Sequence, residues 1–199
     1  MSRESTIMAR CAATTAAMLL FSLLGLTGAS AAETWELDRE ASRIEMIGTA
    51  DGREAVTRVE DFDVDLDGDL DQPGEGHVVL TLRSESITGG NDIVDGMLHG
   101  HNWFDVENYP EIVLRSTDIQ APAAGELRIE GELELRGETY PLTVPVNWTR
   151  QGDRVSVNGR LTLDRTDFDM GRGAWRSEGT VKHEVHVDFT IELLAPSPS

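Results

Sequence analysis

Three groups of side chains have the types and spacing for chemistry. The first is Asp63-Val-Asp-Leu-Asp-Gly-Asp-Leu-Asp71. It opens as D-x-D-x-D-G, the start of a calcium loop whose carboxylates converge on one hard cation. The twelfth position of such a loop requires a bidentate glutamate. Here it is Gly74, with Pro73 before it and Glu75 one step late. The flanks alternate as a strand, which would hold successive carboxylates roughly 7 Å apart on one solvent face. The second group is His99 and His101, with Asp92 and Asp95 nearby, a set chemically able to take zinc or copper. Two histidines two residues apart share a face only in extended chain. The third is His183, on the apolar parity between Val181 and Val185, which reads as a hydrogen-bonded rim residue or a polar contact for a ligand. There is no nucleophile elbow, and Gly171-Arg-Gly173 is no phosphate loop. The sequence therefore assigns no catalytic residue, no metal and no cofactor.

Apolar chemistry is better represented. Trp103, Phe104 and Tyr109 crowd one irregular corner, which turns at Pro110 and launches the apolar run at Ile112. Such aromatics serve equally as core plug or as ligand wall. Candidate ligand-binding residues are Trp103 and Phe104 at the corner and Met97 and Leu98 just before it. Phe62, Trp148, Phe168 and Met170 join them, with His183 as the polar candidate.

The elements that must position these residues are strands. Alternation is clean from Leu127 to Leu135, Tyr140 to Trp148, Val155 to Leu163 and Val185 to Leu193. Ile44–Met46, Phe62–Leu70, Val78–Leu82 and Ile112–Leu114 behave alike. Gly137-Glu138 and Gly152-Asp153 read as hairpin turns. Pro141 and Pro145 fall on the polar parity of their strand, which marks an edge, a bulge or a seam. Almost every strand has one apolar and one charged face, and there is little helix to cover a sheet. The expectation is an all-β fold whose antiparallel sheet either closes as an up-and-down β-barrel of about eight strands, lipocalin-like, or stacks as a two-sheet sandwich, two arrangements that alternation alone does not separate. One short helix is expected near residues 91–101, capped by Asn91 or Asp92 and weakened by Gly96 and Gly100. It would lie over one barrel mouth. Most carboxylates take outward parity, so no acid–base pair is expected to converge in the lumen.

Residues 1–32 read as a cleaved secretory signal peptide: a basic start at Arg3 and Arg10, an apolar run from Ala12 to Leu26, and Ala29-Ser-Ala31 as the cleavage site. The only cysteine, Cys11, lies within it, so the mature chain would have no thiol. A periplasmic or secreted protein of a bacterium is expected. One domain would span 33–195, with a frayed tail at 196–199. The formal net charge of the whole chain is −19, and Lys182 is its only lysine. Such a surface repels nucleic acid and anionic membranes. It suits strong salt, in which the Debye length falls to about 3 Å at 1 M. The melting temperature is expected to rise as sodium chloride is added, and a flat salt profile would remove this reading.

Five segments, in order, resemble the YceI-like family of secreted β-barrels associated with polyisoprenoid lipids. They are Trp35-Glu-Leu-Asp38 with Ser42-Arg-Ile44; Phe62 to Gly68; the aromatic corner from Trp103 through Tyr109-Pro110 to Ser116-Thr117; Gly131-Glu-Leu-Glu-Leu-Arg-Gly-Glu-Thr139 leading into Pro141-Leu-Thr-Val-Pro145; and Leu163-Asp-Arg-Thr-Asp-Phe168 with Gly171. The common family version carries H-L-[RK]-S at the helix end, where this chain has Met97-Leu-His-Gly100, so a basic residue is replaced by His99. Met97 and Trp103 are similar to a branch whose genes often accompany a membrane cytochrome b. The resemblance favours the barrel over the sandwich. It implies a periplasmic binding or carrier protein, monomer or homodimer, for a long isoprenoid lipid such as a polyprenyl chain or a quinone. The alternatives are a small β-barrel enzyme on a hydrophobic substrate and a calcium-dependent structural module built on Asp63–Asp71.

Overall fold

The computed structural model describes residues 35–68 and 72–195. Residues 1–34, which include the expected signal peptide at 1–32, the tail 196–199 and Asp69 to Asp71 of the acidic run lie outside the described residues. Eleven antiparallel segments form one sheet: β1 (Glu36–Leu37), β2 (Arg43–Ala50), β3 (Arg53–Val59), β4 (Phe62–Asp67), β5 (His77–Arg83), β6 (Ile87–Thr88), β7 (Glu111–Ala123), β8 (Glu126–Leu135), β9 (Glu138–Gln151), β10 (Arg154–Asp164) and β11 (Glu184–Leu194). The helix α1 spans Asp92–His99.

The pairing register reduces eleven segments to eight strands. β1 and β2 both lie against β11, either side of the Asp38–Ser42 excursion. β3 runs into β4, and their partners β6 and β5 are likewise parts of one strand, interrupted by a short 3-10 turn at Ser84–Ser86. The interruption stays hydrogen-bonded: Glu60 N donates to the Ser86 carbonyl at 3.1 Å and Arg83 N to the Asp61 carbonyl at 3.0 Å. From β5 the ladder continues through β7, β8, β9, β10, β11 and β2 back to β3. The sheet thus closes on itself as the expected eight-stranded barrel. Closure shortens the exposed edges that an open sheet of this length would present, leaving stretches of β3, β4, β9 and β10 with one ladder partner among the described residues.

Local chemistry explains the bends. Arg136 and Gly137 make the β8–β9 hairpin with φ of 53° and 74°, the pair of left-handed residues that matches strand twist. Gly131 and Gly159 stand on the inward parity where a side chain would be expected. A Cβ on Gly131 would lie 2.6 Å from the Arg115 carbonyl oxygen, beside the register shift at Ser116–Asp118. One on Gly159 would lie 2.5 Å from both the Phe189 ring and the Pro145 carbonyl oxygen. These glycines let curved strands approach closely. Gly159→Ala is expected to cost ~1–3 kcal/mol through overpacking, read as a lower melting temperature; an unchanged value would show that Phe189 has room to move.

Long connections gather at one end of the barrel. Both the 89–110 segment, which holds α1 and the aromatic corner, and the 165–183 segment cap the end reached by the β2–β3 and β8–β9 turns. The opposite end narrows on buried Trp35, Val155 and Leu193, close to the short turns at 124–125 and 152–153.

Candidate functional site

Alternation sends one residue in two to the inside, and those residues are almost all aliphatic. They are not packed to completion. Val78, Leu80, Leu82, Leu114, Val185 and Val187 are half-buried although they point inward. They surround a cavity of about 430 Å³ that runs from the β7–β8 floor, at Ile119 and Leu127, up to α1. That volume lies within the usual range for small-molecule sites. Hydroxyls of Thr49, Thr57 and Ser116 and the Arg165 side chain are the few polar groups along a wall otherwise made of carbon.

The cap supplies the aromatic end. Asn91 caps α1 by accepting from Val94 N at 3.1 Å, as the sequence predicts. Asp95 ties the helix back to the barrel, accepting from Thr88 Oγ1 at 2.8 Å and Gly89 N at 2.7 Å. Val94, Met97 and Leu98 then face the cavity. The chain turns at Gly100 into Trp103 and Phe104, both buried and both on the lining. Trp103 meets Trp175 edge-on, with ring centroids 6.1 Å apart.

Arg165 holds this cap together, a role that alternation could not reveal. It is 5% exposed and reaches four backbone carbonyls: Nε donates to Lys182 at 3.0 Å, Nη1 to Met170 at 2.8 Å, and Nη2 to Trp175 at 2.6 Å and Val181 at 2.9 Å. Its guanidinium carbon also lies 5.4 Å from the Trp103 ring centroid. Burial pushes its pKa below the ordinary arginine value, opposed by the charges of Asp164 and Glu178. Arg136, also buried, donates to the carbonyls of His101 at 3.0 Å and Asp169 at 3.3 Å. The two arginines stitch the 165–183 segment to the aromatic corner.

Of the sequence candidates, Met97, Leu98, Trp103, Phe104, Phe168 and Met170 line the cavity. Phe62 is buried in the core beside it, at the corner where β3 becomes β4. Trp148 packs between the two core clusters near the narrow end. Neither lies on the lining. His183 precedes β11 rather than sitting within it. Its Nε2 lies 2.9 Å from the Arg176 carbonyl and its Nδ1 3.9 Å from Asp164, so the parity argument that aimed it inward does not apply.

The polar candidates are dispersed. Asp63 is paired with Arg39 and Arg83 on the outer face. His99 Nε2 is 2.8 Å from the Ile87 carbonyl, and His101 is exposed. Among the described residues, no three His, Cys, Asp or Glu side chains are grouped to hold a metal ion.

A family model for the YceI-like domain matches residues 35–193, nearly the whole described barrel. The chain belongs to the YceI-like family. Its relatives include a UPF0312 protein of Pseudomonas aeruginosa, 27% identical over 191 residues, covering 90% of this chain and 96% of that protein. Another, from Shewanella baltica, is 24% identical and covers 88% of this chain and 94% of that protein. Among solved structures, Burkholderia cenocepacia BcnA superposes with a TM-score of 0.75 at 22% identity, covering 79% of this chain and 99% of that one. A polyisoprenoid binding domain from Saccharophagus degradans gives 0.65 at 16% identity, covering 81% and 98%. These likenesses establish the YceI-like barrel. The family segments read from the sequence place Arg136 and Arg165 inside two of its motifs, and here both arginines are buried clasps for the cap.

Proposed function

We propose that this protein binds a long isoprenoid lipid, a polyprenyl chain or a quinone, inside the barrel and carries it through the periplasm. One observation carries the reading: inward aliphatic side chains of a closed barrel stand half-exposed around a cavity of about 430 Å³. Water gains little from such a wall, whereas a hydrocarbon gains ~0.8 kcal/mol per methylene buried. The tail therefore supplies most of the affinity, and headgroup selectivity is loose. The Saccharophagus degradans relative named for polyisoprenoid binding supports the same ligand class. Export rests on the signal segment, and a membrane cytochrome b as recipient rests on the resemblance of Met97 and Trp103 to that branch. Binding rather than turnover fits a lining without a carboxylate or histidine.

Native mass spectrometry of the purified protein tests the proposal. A co-purifying isoprenoid mass, released on denaturation, is expected. Protein that emerges empty, and stays empty when incubated with polyprenols and quinones, would overturn it.

A further inference from the structure

The barrel parts its strands in three places, and they are treated differently. β1 and β4 do not pair with each other, and Arg39 clasps the gap between them by donating to Asp61, Asp63 and the Phe62 carbonyl. β9 and β10 pair only from Asn147↔Asn158 onward, which leaves their other halves apart. Pro141 and Pro145 lie on that parted half of β9, the seam that their parity predicts. This second gap is bordered by large side chains: Tyr140 and Phe168 meet at a tilt of 59° with centroids 5.0 Å apart, and Leu161 and Leu163 stand on the parted half of β10. The third gap is along β3. Its far side is paired to β6 only at Arg58 and Val59, so Arg53 to Thr57 have β2 as their single ladder partner among the described residues.

The third gap is bordered on its barrel side by small inward residues. The inward cross-strand rungs of β2 and β3 shrink steadily toward the hairpin tip, from Ile44↔Val59 to Met46↔Thr57 to Gly48↔Ala55. Ala55 points inward yet is exposed, and a Cβ on Gly48 would meet only Val185, at 3.8 Å. Both residues belong to the cavity wall. After β6 the chain leaves through Gly89 and Gly90 into α1, whose Ile93 is 87% exposed. We propose that the ligand enters and leaves sideways through this gap between β3 and α1, with Gly48 and Ala55 as the residues that keep it open and set the widest group able to pass. A chain threaded here reaches the lumen without displacing the Arg165-held cap.

The inference rests on the isoprenoid reading and adds its route. The mature protein would contain no cysteine, so Ala55→Cys can be purified folded and then capped with a bulky maleimide. Uptake and release of a fluorescent geranylgeraniol derivative are followed before and after labelling, with outward-facing Glu132→Cys labelled as the control. The label on Ala55→Cys should slow uptake and release together by about tenfold or more, equivalent to ~1.4 kcal/mol on the passage barrier, while the control is unaffected. Unchanged rates on labelled Ala55→Cys, with wild-type protein binding the probe, would overturn the port and leave the isoprenoid reading standing. Wild-type protein that fails to bind the probe at all would overturn both.

Discussion

Leu133→Trp is expected to abolish lipid retention while leaving the barrel folded. Leu133 sits near the capped end of β8, opposite Leu114 on β7 and Tyr140 on β9, and faces the cavity half-buried. In a filled core, so large an insertion would force neighbours off their rotamers and cost ~1–3 kcal/mol or more. Here the indole has open space in front of it and apolar walls around it, so the fold should lose less than that range. The cavity, by contrast, loses much of its volume of about 430 Å³ on the side of the cap. A ligand held by apolar burial at ~25 cal/mol per Å² loses affinity with each stretch of tail that can no longer enter. Native mass spectrometry should show the variant empty beside loaded wild-type protein, with melting temperatures close together when both are delipidated. A variant that still carries lipid would mean that the ligand lies elsewhere. A variant that unfolds would mean that the lumen is packed around Leu133.

What the sequence made legible follows from strand geometry. Alternation is a strong signal because one residue in two points inward and must be apolar. It reports parity over β8 to β11 without ambiguity, whereas in β7 the register shift at Ser116–Asp118 moves the inward set from Leu114 to Ile119. Parity gives direction but not depth. That is why Met97, Leu98, Phe104 and Phe168 land on the cavity wall while Phe62 and Trp148, equally apolar, are spent on the core beside it. It also fails where a strand has not yet begun, as at His183, one residue before β11. The port was invisible for a related reason. Gly48 and Ala55 are small and carry almost no hydrophobic signal, yet smallness is what leaves the gap open. Arg136 and Arg165 were hidden because both lie just past a strand end, where alternation carries no information, and both bury their guanidinium groups against backbone carbonyls that only the folded cap assembles.

Arg165→Leu should be the most destabilising single change in the cap. The guanidinium is the shared partner of the Lys182, Met170, Trp175 and Val181 carbonyls, which come from both sides of the 165–183 connection. Leucine fills part of the volume but leaves these acceptors to find water or stay unpaired, and each unmet buried group costs ~1–3 kcal/mol. Relief of the buried charge offsets part of that sum. A net loss of about 3–5 kcal/mol is expected, as for about two buried acceptors left unmet. At roughly 2–4 °C per kcal/mol for a domain of this size, the melting temperature should fall by at least about 6 °C. Arg165→Lys separates charge from shape. Lysine keeps the cation but presents three donors from one point, where arginine spreads five across a planar fork. It cannot span four carbonyls, so it should recover only a minor part of the loss. Full recovery with lysine would show that the positive charge beside the Trp103 ring, rather than the carbonyl fork, secures the cap.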